Sequence, residues 1–203
     1  MSKNAENSPG SREGSIDLDP RRLKGLAHPL RMRILGTLRE FGPATASALA
    51  ERLGESSGAT SYHLRQLAGF GFVEEAEGRG SRRERWWRAS HRSSRFDEAL
   101  LAGDIETRLA GAEFLKAAAD GASQRTLAWI DALPAVPKEW AEAGTVSDWG
   151  LSLTPAEAAA LKADIETLVS RYRSHDPEAE PDPDRSFVAF QVQILPRLPG
   201  GGA

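Results

Sequence analysis

The stretch from Ala44 to Arg88 constrains the chain most, because two short amphipathic helices, a tight turn and an arginine-bearing hairpin follow one another without a break. In TASALAERL, Thr45 can cap the backbone, and Ala48, Leu49 and Leu53 recur at helical spacing on one face. Gly54 ends this helix, and Glu55-Ser56 bridges to a second, SSGATSYHLRQLAGFG. There Thr60, Leu64 and Leu67 stand at i, i+4 and i+7 and so point into the domain. The opposite face carries Ser57, Ser61, Tyr62 and Arg65: two hydroxyls, a phenol and a guanidinium, groups able to bond base edges and phosphates. Gly69 and Gly71 stop the helix, and FVEEA leads through EGRGSRR into ERWWRA, two short strands around a glycine-bearing loop. Arg79, Arg82 and Arg83 fall at the hairpin tip. That order reads as a helix-turn-helix followed by a wing.

Two more helices precede it. Asp19-Pro20 opens one that runs to Leu26 or Ala27, and Pro29 opens PLRMRILGTLREF, with Leu30, Ile34, Leu35 and Leu38 as its core stripe. His28, between them, reads as a packing or capping residue beside a helix start; Arg31 and Arg33 read equally well as phosphate contacts or as solvated cations. Taken in order, LAHPLRMRILGTL, SSGATSYHLRQLAGFGFVEE and GRGSRRERWWRA resemble the ArsR-type family of bacterial winged-helix transcriptional regulators, over roughly Asp19 to Ser93. The resemblance implies a winged helix-turn-helix DNA-binding domain at 19–93 whose second helix enters the major groove. On that pattern Thr60 takes the buried branched position, and Ser57, Gly58, Ser61 and Tyr62 match positions that face the groove. With Arg65 and the wing residues Arg79, Arg82 and Arg83 they form the candidate DNA-binding set. Tyr62 stands where many relatives carry a shorter polar residue, which bears on the operator sequence rather than on the mode of binding. Double-stranded DNA and a second copy of the chain are the implied partners, with repression as the implied action.

Charge is segregated in the same sense. Residues 20–95 hold 15 Lys+Arg against 7 Asp+Glu, a balance of plus 8, whereas residues 96–203 hold 9 against 18, a balance of minus 9. A basic module attracts the nucleic-acid backbone through counterion release, and the acidic remainder is expected to face away from it. Trp86 and Trp87 are adjacent on a strand, so at least one should pack under the hairpin.

Beyond the winged domain the pattern turns helical, so that the fold class is mainly α with a small β component. Leu101, Ile105, Leu109, Ala112, Leu115 and Ala119 recur three or four residues apart, with a break expected near Gly121 before Leu127, Ile130 and Leu133. This polar-backed stripe in 94–133 needs a cover. Regulators of the resembled type dimerise through helices flanking the winged domain, which makes Leu101, Ile105, Leu109, Ala112 and Leu115 the candidate dimer interface. Residues 140–197 read as a small α/β unit: TVSDWGLSL as a strand, Thr154-Pro155-Ala156-Glu157 as a capping box opening an amphipathic helix, and FVAFQVQIL as a second strand. Such a unit leaves room for an apolar pocket, and so for an unidentified small-molecule effector. SHDPEAEPDPDRS is acidic and proline-rich and reads as a solvated link; residues 1–18 read as a disordered tail and 198–203 as another.

Enzyme chemistry finds no foothold. The four histidines are scattered at His28, His63, His91 and His175, and there is no HExxH, no GxSxG and no phosphate-cradling glycine loop. With no cysteine in the chain and no histidine between Phe96 and Leu133, no metal and no cofactor are expected. The polar start lacks the apolar core of a signal peptide and no apolar run reaches about 18 residues, so a cytoplasmic protein is expected. The rival function is a winged-helix protein-interaction adapter that does not touch DNA, since the fold serves both ends. Arginines at the wing tip and polar groups on the second helix favour DNA, because an adapter more often exposes apolar anchors there.

Overall fold

The computed structural model describes residues 14–76 and 84–197. The chain divides into two compact units, 1–123 with 175–183, and 124–174 with 184–203.

In the first unit, strand β1 (Ser15–Asp17) leads to helices α1 (Pro20–Leu26) and α2 (Pro29–Phe41), each opened by a proline that has no amide hydrogen to satisfy. The Asp19 carboxylate accepts from the Arg22 amide at 2.7 Å, and His28 Nδ1 accepts from the Leu30 amide at 3.2 Å, so His28 is indeed a cap. Strand β2 (Ala44–Thr45) feeds helix α3 (Ala46–Leu53), which Thr45 caps and Gly54 closes at φ 68°. Helix α4 (Ser57–Gly69) follows under a Ser56 cap, then β3 (Val73–Glu75), β4 (Trp86–Ala89) and β5 (Ser93–Arg95). The antiparallel sheet runs β2-β4-β3, with Val73 opposite Ala89 and Glu75 opposite Trp87.

Leu23, Leu26, Ile34, Leu35, Leu38, Leu49, Leu64, Leu67 and Phe72 are almost wholly withdrawn from solvent and make one core, with Trp87 packed beneath the hairpin. In α3 the inner face is Leu49 and Ala50 with Leu53 half-buried; Ala48, expected inside, is exposed because the stripe sits one position later on the helix. Gly25 brings α1 against the end of α4: a Cβ there would stand 2.6 Å from the Phe70 ring.

Three further expectations are corrected in this unit. The segment read as the end of a disordered tail is ordered at Ser15–Asp17, which pairs in parallel with Ser93–Arg95 and sinks Ile16 and Leu18 into the core. A parallel ladder of three residues joined across some 78 positions leaves no local signature; residues 1–13 lie outside the described residues. The acidic link is also a strap on this unit. His175 Nε2 lies 2.9 Å from the Glu40 carbonyl, Asp176 is 2.6 Å from the Arg92 guanidinium, Glu178 reaches Arg88 at 3.9 Å, and Pro177 lies against Gly42. Finally, helix α5 (Ile105–Ala132) passes Gly121 unbroken, and Leu101 lies in a preceding 3₁₀ turn, Glu98–Ala102. A lone glycine costs a helix only ~1 kcal/mol, less than its neighbours supply. Thr107, Ala110, Gly111 and Phe114 form the inner face of α5, with Phe114 stacked on Phe96 at 5.5 Å. Ile105 and Leu109 are exposed on the opposite side.

The second unit contains the last turns of α5, a 3₁₀ turn Leu133–Ala135, and helices α6 (Lys138–Ala143) and α7 (Pro155–Ser170). Trp140 belongs to α6, and Trp129 packs on Gly144 so closely that a Cβ would collide with it. The capping box at Thr154 and Glu157 is complete, with the Glu157 carboxylate held below its usual range by its bonds to Thr154. TVSDWGLSL and FVAFQVQIL, read as strands, form none: residues 145–153 and 187–195 run without helix, turn, bend or ladder. A strand needs a neighbour to pair with, and alternation alone supplies none. No described residue of this unit is buried. Among the described residues no helix is long and apolar enough to cross a membrane, and no three His, Cys, Asp or Glu residues cluster as a metal set.

Candidate nucleic-acid interface

Helix α4 is divided sharply by its own sequence. Thr60, Leu64 and Leu67 have no exposure, and the Thr60 hydroxyl donates to the Ser56 carbonyl at 3.0 Å, so this face cannot turn outward without leaving polar and apolar groups unmatched. The helix register is thereby fixed, and Ser57, Gly58, Tyr62 and Arg65 are exposed together, with Ser61 half-buried beside them. All five come from the set singled out by sequence. The Arg65 Nε donates to the Ser61 carbonyl at 3.2 Å, which lays the guanidinium along the helix.

The floor beneath Tyr62 is a histidine pair. Tyr62 meets His63 edge-on at 5.1 Å between centroids, and His63 lies 4.3 Å from the His28 ring. Burial, then the neighbouring His28 and Arg31, pushes the His63 imidazole below its ordinary value, and its Nδ1 is covered without a hydrogen-bond partner. The neutral ring therefore acts as packing that holds the first turns of α4 against the start of α2.

Several arginines are spent on holding this geometry. Arg33 donates to the Leu53 carbonyl at 2.6 Å and pairs with Glu55 at 3.0 Å, clamping the turn between α3 and α4. Arg21 donates to the Gly69 carbonyl at 2.7 Å and lies over the Phe70 ring, fixing the other end of α4. Arg31 donates to the Lys24 carbonyl at 2.8 Å. Arg39 donates to the His91 carbonyl and the Ser94 hydroxyl, and burial lowers it to about 10. The reading of Arg31 and Arg33 as either phosphate contacts or merely solvated missed these positioning roles, because their partners lie 7 to 22 residues away.

The wing strands are tied below the tip. Arg88 pairs with Glu74 at 2.8 Å and Arg85 with Glu75 at 3.2 Å, both exposed pairs worth at most ~1 kcal/mol each. Arg79, Arg82 and Arg83 lie outside the described residues. Of the candidate dimer residues, Ile105, Leu109 and Leu115 are exposed on α5, Ala112 is half-buried, and Leu101 leans on Gly111 from the 3₁₀ turn.

No curated protein matches this chain. Residues 26–76, from the end of α1 through β3, match the family model described as a helix-turn-helix domain. Its first unit therefore carries a helix-turn-helix domain of the DNA-binding type found in transcription regulators, with α4 as the second helix of the motif.

Proposed function

We propose that this protein is a homodimeric transcriptional regulator of ArsR type that represses by occupying an inverted-repeat operator. The observation that carries the reading is the division of α4, with Thr60, Leu64 and Leu67 wholly inside and Ser57, Ser61, Tyr62 and Arg65 on one outward row. Such a row offers hydrogen-bonding groups of the kind that read base edges, on a module carrying a positive excess. The exposed Ile105 and Leu109 supply a seam for a second copy, and two-fold symmetry then sets half-sites roughly 10 bp apart.

The wing tip gives the first test. Arg82 and Arg83 are placed by sequence to meet phosphates, so Arg82→Ala or Arg83→Ala is expected to weaken operator and scrambled duplex alike. Each should also flatten log affinity against log salt by about one unit. Fluorescence anisotropy at several salt concentrations, with the chain's own upstream DNA as candidate operator, checks it; no binding to either duplex from the unaltered chain would sink the reading.

Gly58 gives a second. Nothing lies within 4 Å of where its Cβ would stand, so Gly58→Ala should stabilise α4 by about 0.5–1 kcal/mol. The same methyl would project from the DNA-facing row, and the expected result is a higher melting temperature with weaker operator binding. A gain in both would place Gly58 away from the contact.

A further inference from the structure

We propose that Arg88 and Arg92 form a phosphate-binding pair at the base of the wing, and that the Asp176-Pro177-Glu178 turn of the strap occupies this pair in place of a DNA backbone. DNA must then displace the strap to gain both guanidiniums. The choice of DNA as the competing ligand rests on the regulator reading; the occupied pair does not.

Local sequence sets the turn. Pro177 fixes its second position, the Asp176 carboxylate accepts from the Glu178 amide at 3.1 Å, and the Ala179 amide donates to the Asp176 carbonyl at 3.2 Å. Two carboxylates are thereby held on one tight bend. The seat of that bend belongs to the first unit. His175 Nε2 meets the Glu40 carbonyl at the end of α2, and a Cβ on Gly42 would stand 3.3 Å from the Pro177 carbonyl oxygen. Gly42 has a φ of 84°, so one glycine serves both the exit from α2 and the close approach of the strap.

From this seat Asp176 reaches Arg92 at 2.6 Å and Glu178 reaches Arg88 at 3.9 Å. Glu74 takes the Nε and Nη2 of Arg88, which aims the guanidinium and leaves Nη1 toward Glu178. The four side chains of the two pairs keep between 37% and 52% of their surface in solvent. Ion pairs so exposed are weak and screened by salt, so a second polyanion can take the arginines from them. Glu180 and Asp182 follow on the same segment, and no Lys or Arg stands between His175 and Pro183, so the strap has the sign of charge of a phosphate backbone throughout. A strap that only braced the wing would favour DNA binding; one that occupies phosphate ligands opposes it.

Titration of the full chain with a scrambled duplex and with heparin, at several salt concentrations, tests this. Asp176→Asn with Glu178→Gln is expected to raise affinity for both polyanions at least about fivefold at low salt, and to steepen the salt dependence on the duplex by about one to two units as guanidiniums are freed for phosphate. In that background Arg88→Ala with Arg92→Ala should abolish the increase, whereas in the unaltered chain the same two substitutions should matter far less. Asp131→Asn with Glu139→Gln removes the same charge from exposed positions elsewhere and should leave the slope unchanged. Occupancy of the pair by the strap is refuted if the strap variant binds no tighter, if the charge-matched control gains as much, or if the increase survives loss of both arginines. An increase on heparin from a chain that binds no duplex would refute the regulator reading alone.

Discussion

Alanine at Ser61 or Tyr62 is expected to cost about 1–3 kcal/mol on the operator and little on a scrambled duplex, so that the double substitution removes most discrimination. The physical ground is that α4 cannot roll to present other groups: Thr60, Leu64 and Leu67 hold it from beneath, and the clamps from Arg33 and Arg21 hold its two ends. Tyr62 is 53% exposed, so its loss should leave the unfolding midpoint nearly unchanged, and a fall in affinity reports contact rather than collapse. Titrations of both duplexes at several salt concentrations decide it. Equal weakening on the two duplexes would move sequence reading away from α4.

Replacing Ile105 and Leu109 together with aspartate is the second large effect. Both side chains are exposed on the face of α5 opposite Thr107, Ala110, Gly111 and Phe114, so the fold of the single chain should tolerate the charges. In a seam between two copies the same carboxylates would be buried unpaired, and the population should move toward monomer. Operator affinity should then fall by roughly 10²–10⁴-fold, because each half-site loses its tethered partner. Sedimentation alongside the binding titration separates the outcomes. A double variant that stayed dimeric and kept its affinity would leave the C-terminal unit as the place where copies join.

How much of this was legible in sequence follows from how local each feature is. The caps at Asp19, His28, Thr45, Ser56 and Thr154 each act on an amide within three residues, and the stripes of α2 and α4 repeat every three or four, so both were readable. The parallel pairing of Ile16 with Ser94 and the Asp176–Arg92 contact join positions 78 and 84 apart, and no window along the chain contains both partners. The clamps at Arg33 and Arg21 were hidden for the same reason; an arginine's sequence context does not say which carbonyl it will find. The alternation in FVAFQVQIL was read as a strand, but alternation encodes two unlike faces and not the neighbour that makes a ladder.

The strap from His175 to Pro183 has a practical consequence for anyone who would cut the chain into parts. A fragment ending at the close of the winged domain would discard Asp176 and Glu178, which sit on Arg92 and Arg88, together with Glu180 and Asp182. Four negative charges would vanish from beside a module that carries a surplus of eight positive ones. The isolated piece should then attract polyanions more strongly and less selectively than the full chain, as an effect of the lost carboxylates rather than of α4.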